Sequence, residues 1–157
     1  SDWSSDVCSS DLARALSKSS ALIVNAGTAT TIDLLGSNGV HYGGWILPGL
    51  ELMQKSLESS TAQLPLATRD ESKLSFGTST NQAIISGCDA AQIGAIGHAI
   101  AIAKEMNQNV ERIWLDGGNA KILANEIEQL SRTNSIRTEV SEGLVLRGLW
   151  AWLVEKL

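Results

Sequence analysis

The 157 residues predict one α/β domain built on a mixed sheet, and three observations carry that expectation. Short β-type segments separated by small-residue turns come first, strand-like and helical segments then alternate, and the helical segments keep apolar residues along one side. The length is that of a single domain able to bury a core, and 43% hydrophobic with 18% charged residues suits a folded globular chain.

Ser1 to Leu12 (SDWSSDVCSSDL) stands apart: rich in serine and aspartate, without a basic residue, it cannot pack a core and is expected to be a disordered, non-native leader. It has neither the positive start nor the apolar run of a signal peptide. The folded domain is expected over residues 13–157. Ala21 to Val24 is a short apolar run closed by Gly27, and Thr30 to Leu35 is β-branched and bounded by Gly36, Asn38 and Gly39. Val40 to Leu47 supplies a third strand and completes a meander. Pro48 suits the first turn of a helix, followed by Leu50, Met53 and Leu57 at helical spacing to about Ser60. Thr61 to Ser79 is polar and irregular, a long surface loop.

Thr80 to Met106 is the longest helical stretch. Gly87, Ala91, Ala95, Ala99 and Ala103 recur every four residues as a stripe that lets another helix approach, and Ile93, Ile96 and Ile100 form a separate apolar face. Two buried faces predict packing on the sheet and against a partner chain. Asp89, Gln92 and His98 interrupt the run and argue against a membrane span, since a central acid costs about 2.5–3.5 kcal/mol there. Arg112 to Leu115 is then a strand, and Ala120 to Leu130 a helix with Ile122, Leu123 and Ile127 on one side. Ile136 to Val140 is a strand and Leu144 to Leu157 a final helix.

The net charge of −5 excludes a sequence-blind nucleic-acid binder, which needs a basic face. Two cysteines far apart make neither a disulfide framework nor a zinc site, and a reducing, cytoplasmic setting follows.

The chemistry is expected in two glycine turns. Asn25-Ala26-Gly27-Thr28-Ala29-Thr30-Thr31 joins two strands with residues that leave backbone N–H groups and hydroxyls close together, which suits phosphate oxygens and equally an ordinary β-turn. Gly117-Gly118 follows a strand and precedes a helix, where backbone can approach a nucleotide and a helix N-terminus faces anions. Neither GxGxxG nor GxxxxGK[ST] is present. Asp33 could order the turn or a metal-bound water, or be a solvent-facing strand acid. His41, without an acidic partner nearby in sequence, is expected at the surface, and His98 in packing or an interface. Cys88 reads as a small buried hydrophobe. Trp150 and Trp152, two apart on a helix, cannot share one face. Glu139 and Glu142 read as surface or helix-dipole charges.

Five segments occur in the order and at the spacing of type III pantothenate kinases: 24–33 (VNAGTATTID), 43–49 (GGWILPG) running on to Met53, 61–65 (TAQLP), 77–87 (GTSTNQAIISG) and 116–118 (DGG). The resemblance extends over essentially Ala13 to Leu157. It implies an actin-like, ribonuclease-H-like domain of order β-β-β-α-β-α-β-α, a mixed sheet with helices on both faces, truncated at its N-terminus. The implied activity is ATP-dependent phosphorylation of pantothenate to 4'-phosphopantothenate, the first step of coenzyme A synthesis, by a cytoplasmic homodimer. By resemblance Gly27, Thr28, Gly117 and Gly118 contact ATP and Thr80 contacts pantothenate. The helix Thr80–Met106 forms the dimer contact, and magnesium accompanies ATP. Asn25 stands at the monovalent-cation position for potassium or ammonium, normally an aspartate, so cation binding should be weaker here. Family members also carry D-x-G-N-T and a G-x-D-R-[WF] segment whose aspartate is the general base. Neither pattern occurs in this sequence, so the chain reads as the C-terminal portion of such a kinase, with negligible turnover by itself. Two alternatives stand beside it: a non-catalytic dimerising or regulatory module of the same family, and a sugar- or acetate-type kinase.

Overall fold

The computed structural model describes residues 19–60, 66–69, 75–141 and 143. The expected leader, the TAQLP segment, Glu142, Trp150, Trp152 and the last helix lie outside the described residues. Five strands form one sheet: β1 (Ser20–Ala26), β2 (Ala29–Leu35), β3 (His41–Pro48), β4 (Val110–Asp116) and β5 (Arg137–Val140). Their spatial order is β3-β2-β1-β4-β5. The β1–β2 and β2–β3 pairs are antiparallel, β1–β4 and β4–β5 parallel, so the sheet is mixed as expected. Among the described residues three helices accompany it: α1 (Leu50–Ser60), α2 (Thr80–Glu105) and α3 (Ala120–Thr133).

Period-two alternation divides the strands between two faces. Leu22, Val24, Ile32, Leu34, Ile113 and Leu115 join Leu50 of α1, Ile84, Ile85 and Ile96 of α2, and Leu123 and Ile127 of α3 in the principal core. Leu22, Ile96, Ile113, Leu115, Leu123 and Ile127 are all at most 1% exposed, and each such side chain contributes roughly 1.5–3 kcal/mol of burial. Ala21, Ile23, Leu35 and Trp114 form a second cluster on the opposite face. Ile122, expected on the buried side of α3, is 39% exposed; at 100° per residue it sits beside Leu123 and Ile127 in sequence but off their stripe.

Two boundaries differ from the expectation for a physical reason. Pro48 is the last residue of β3, opposite Ala29, rather than the first turn of a helix. β3 is an edge strand, where a residue without an N–H costs the ladder nothing. The small-residue stripe of α2 does not stay on one face: Gly87 and Ala91 are exposed, Ala95 is half-buried, and Ala99 and Ala103 are buried. Every fourth residue advances 40° around a helix, so sixteen residues carry the stripe from solvent into the core. The line left open instead runs Gly87, Ala90, Ala91, Gly94 and Ala101.

By length and composition α2 could cross a membrane, but its polar residues are used for packing. Asp89 takes a bidentate bond from Arg69, Nη1 to Oδ2 at 2.9 Å and Nη2 to Oδ1 at 2.6 Å. Asn81 brackets Thr68, accepting from its amide at 2.7 Å and donating to its carbonyl at 2.9 Å. Residues 66–69 are thereby strapped onto α2. The helix starts on Ser79, whose hydroxyl accepts from the Gln82 amide, while Gln82 Oε1 accepts from the Thr78 amide and hydroxyl.

His41 is exposed, as expected, but it has an acidic partner: its Nε2 is 2.8 Å from Asp33 Oδ1. Antiparallel pairing of β2 with β3 puts Leu35 opposite His41 and Asp33 opposite Gly44 on the same face. Asp33 is only 3% exposed, so it is not a solvent-facing acid. His98 stacks on Trp45, ring centroids 5.5 Å apart. Glu139 is ion-paired with Arg112 across β4 and β5.

Cys88 is buried in α2 as expected. Burial pushes its thiol above the ordinary value, the Asp89 carboxylate pushes it further, and Arg69 opposes both. The folded thiol thus holds its proton to higher pH than the unfolded one. Its contribution to stability is complete below the ordinary thiol range and lost as pH rises through the raised value. Iodoacetamide at pH 8 is expected to label Cys88 many-fold more slowly in the native protein than in urea, read by mass spectrometry; equal rates would contradict the burial.

Candidate active site

The residues expected to meet a nucleotide come from the ends of β1 and β4, parallel neighbours in which Asn25 lies opposite Asp116. Because the two strands run the same way, the turn after β1 and the glycine pair after β4 emerge at one edge of the sheet. Three pieces of backbone then come into close contact. The Gly49 amide donates to the Thr28 carbonyl at 2.9 Å, and a Cβ on Gly49 would stand 2.2 Å from the Gly27 carbonyl oxygen. On the other side Gly117 adopts φ +98°, and its Cβ would stand 2.6 Å from the Ala26 carbonyl oxygen and from Asn25 Oδ1. Only glycine fits either place.

Asn119 completes the clamp. Its amide donates to the Ala26 carbonyl at 2.9 Å and its side-chain Nδ2 to the Gly27 carbonyl at 3.3 Å. Its side chain makes no cap on α3, of which it is the N-cap residue. Asp116 accepts from the Gly117 amide at 2.7 Å and from the Gly143 amide at 3.4 Å.

A cavity of about 420 Å³ opens at this junction, lined by Gly27, Thr28, Glu51, Leu52, Lys55, Gly118 and Asn119. A second, of about 390 Å³, lies on the far side of the glycine pair between Asp116, Gly117, Gly118, Lys121, Val140 and Ser141. Gly27, Thr28, Gly117 and Gly118 are therefore brought together, with Gly118 lining both cavities. One detail differs from the expected cradle of amides: the Gly27 N–H is spent within the turn on the Ala29 carbonyl, at 3.1 Å. Thr28 and Gly118 have amides with no hydrogen-bond partner among the described residues, and Thr28 is exposed.

The sequence reading missed Glu51, Lys55 and Asn119. Lys55 and Glu51 form an i,i+4 pair with Nζ 3.7 Å from Oε2 on the exposed side of α1. That spacing also describes an ordinary solvated helix face, so only the packing of α1 against the turn reveals their place.

Thr80 is elsewhere. It opens α2 and lines a cavity of about 560 Å³ with Met53, Ser56, Leu57, Ala83, Ile84 and Cys88 among others. α1 stands between the two sites, giving Glu51, Leu52 and Lys55 to one and Met53, Ser56 and Leu57 to the other.

Asn25 is half-buried between the β1–β2 turn and Gly117. Thr31 and Asp116 are its register partners on the flanking strands. Among the described residues no group of three or more His, Cys, Asp or Glu could hold a metal ion.

The sequence profile described as type III pantothenate kinase matches residues 8–102. Curated relatives with that description include one from Colwellia psychrerythraea, 37% identical over 118 residues, covering 75% of this chain and 47% of its own. One from Herminiimonas arsenicoxydans is 42% identical over 130 residues, covering 82% and 48%. The chain spans about half the length of these relatives. Among solved structures, a Baf family protein from Campylobacter jejuni, described as a transcriptional activator, superposes with a TM-score of 0.60 at 23% identity, over 94% of this chain and 64% of that one. The apo psk41 ParM protein superposes with a TM-score of 0.52 at 17% identity, over 88% and 42%. These structural likenesses bear on the fold alone, which is the actin-like ATPase fold expected from the sequence. With the profile matching more than half of its residues, this chain belongs to the type III pantothenate kinase family.

Proposed function

We propose that this chain supplies the ATP-phosphate site and part of the pantothenate site of a cytoplasmic, homodimeric type III pantothenate kinase. The observation that carries the reading is the cavity bounded by Thr28 and Gly118, where backbone following two parallel strands meets. Such a surface recognises phosphate oxygens by amide and hydroxyl donors and by close approach. The Thr28 amide and hydroxyl and the Gly118 amide bind the phosphates, and Lys55 adds the positive charge that a transferring phosphoryl group requires. The adenosine lies along the cavity on the far side of Gly117-Gly118.

Thr80, which lines a largely apolar cavity, suits the hydroxyl- and amide-bearing pantothenate chain. The line of Gly87, Ala90, Ala91, Gly94 and Ala101 on α2 supports helix-on-helix contact with a second copy.

A monovalent cation fits at Asn25 only weakly, because the neutral amide oxygen replaces a full charge and Asp116 is already engaged by two amides. When bound, potassium would neutralise phosphate charge; magnesium would do so with ATP itself, and Glu51 is the acid nearest the phosphate cavity. The general base is to be supplied by a G-x-D-R-[WF] segment, a pattern that these 157 residues do not contain.

Calorimetry with a non-hydrolysable ATP analogue tests the reading directly. Binding is expected in the wild type, and Thr28→Ala should weaken it roughly five-fold, the worth of about 1 kcal/mol of hydrogen bonding. No heat in the wild type would instead leave a dimerising module that does not bind ATP. Release of ADP from ATP, magnesium, potassium and pantothenate should be negligible with this chain alone; turnover like that of a full-length relative would refute the assignment of the base. Asn25→Asp is expected to make analogue affinity rise with potassium concentration more steeply than in the wild type, and an unchanged salt response would remove Asn25 from the cation site.

A further inference from the structure

Gln92 is wholly buried, at 0% exposure, in the middle of α2. An apolar residue would fill that space without desolvating an amide, and the side chain is only half satisfied. Nε2 donates to the Pro48 carbonyl at 2.7 Å and approaches Met53 Sδ at 3.4 Å, while Oε1 has no partner among the described residues. A half-satisfied amide is a poor device for stability.

Its one strong bond lands at an informative place. Pro48 ends β3 and is followed by Gly49, whose amide holds the Thr28 carbonyl and whose carbonyl accepts from the Met53 amide at 2.9 Å. The same side chain thus touches both ends of the segment running from the strand into α1. That segment presses on the β1–β2 turn through Gly49 and delivers Glu51 and Lys55 to the phosphate cavity. The other side of the turn is held by Asn119 and Gly117, fixed through β4 and α3. Without Gln92, the Gly49 side has no polar tie to α2 among the side-chain bonds described.

We propose that Gln92 is a positioning residue: from inside the core it sets Pro48 and Gly49, and through them the Thr28 turn and the start of α1. This rests on the phosphate-site reading above. It also makes α2 a physical link, since the helix that opens with Thr80 carries the amide that holds the turn on the opposite side of α1.

Gln92→Met keeps the length and removes the donor. It is expected to melt within a few degrees of the wild type, to exchange the Gly49 amide proton at least about ten-fold faster by NMR, and to bind the ATP analogue about ten-fold more weakly. A variant with lowered stability but unchanged Gly49 exchange relative to global opening, and unchanged affinity, would overturn the assignment. If Gln92→Met does not fold, the wild type decides: the Gln92 side-chain NH₂ resonances should move in step with the Thr28 amide as analogue is added, and fixed resonances would overturn it. Should the wild type bind no analogue, the phosphate-site reading fails, yet Gly49 exchange in Gln92→Met still reports on whether Gln92 holds the turn.

Discussion

Backbone meeting backbone at the end of β1 is the constraint on which the remaining geometry depends. The Gly27–Thr28 turn lies between Gly49 and Gly117, at separations where a single methyl group would overlap a carbonyl oxygen. Such contact gives little energy for its area, since few apolar atoms are buried, but it fixes positions closely because the glycines allow carbonyl oxygens to be approached directly by backbone. The parallel pairing of β1 with β4 is what brings Gly117 there, and the antiparallel run through β2 and β3 brings Gly49. A cavity of about 420 Å³ opens beside this junction.

α2 serves this arrangement from behind. Its sequence is apolar around the whole circumference, which leaves its orientation undetermined until the polar residues are assigned. Asp89 turns to Arg69, Asn81 to Thr68 and Gln92 to Pro48. Those three ties orient the helix and leave Gly87, Ala90, Ala91, Gly94 and Ala101 exposed on the other side. Two of the polar residues that make a membrane span costly, Asp89 and Gln92, also lock the helix to its own domain.

Much of the fold was legible because the signals were local. β-branched runs bounded by glycine marked β1, β2 and β4, and regular apolar spacing marked α1 and α3. Where two principles competed, local reading failed: proline at 48 suits a helix start and an edge strand equally, and only the sheet order decides. The α2 stripe misled because a repeat of four is not the helical period. At the site, the glycine turns were legible from composition and from family resemblance. Asn119 was not, since an asparagine before a helix ordinarily caps that helix, whereas this one reaches the turn 92 residues earlier.

His41 and Asp33 show the same limit from the other direction. Eight residues apart with a turn between them, they become neighbours through a register containing an irregularity at Leu34 and Leu35, which no spacing rule anticipates. The sequence by itself determined the class of fold, the family and the two glycine turns, because each depends on residues close in the chain and on backbone freedom that only particular residue types possess. Tertiary structure alone decided which residues surround those turns, where α2 points its amide, and that Thr80 lies across α1 from the cavity at Thr28 and Gly118, because these are distances between segments far apart in sequence, set by strand order and register.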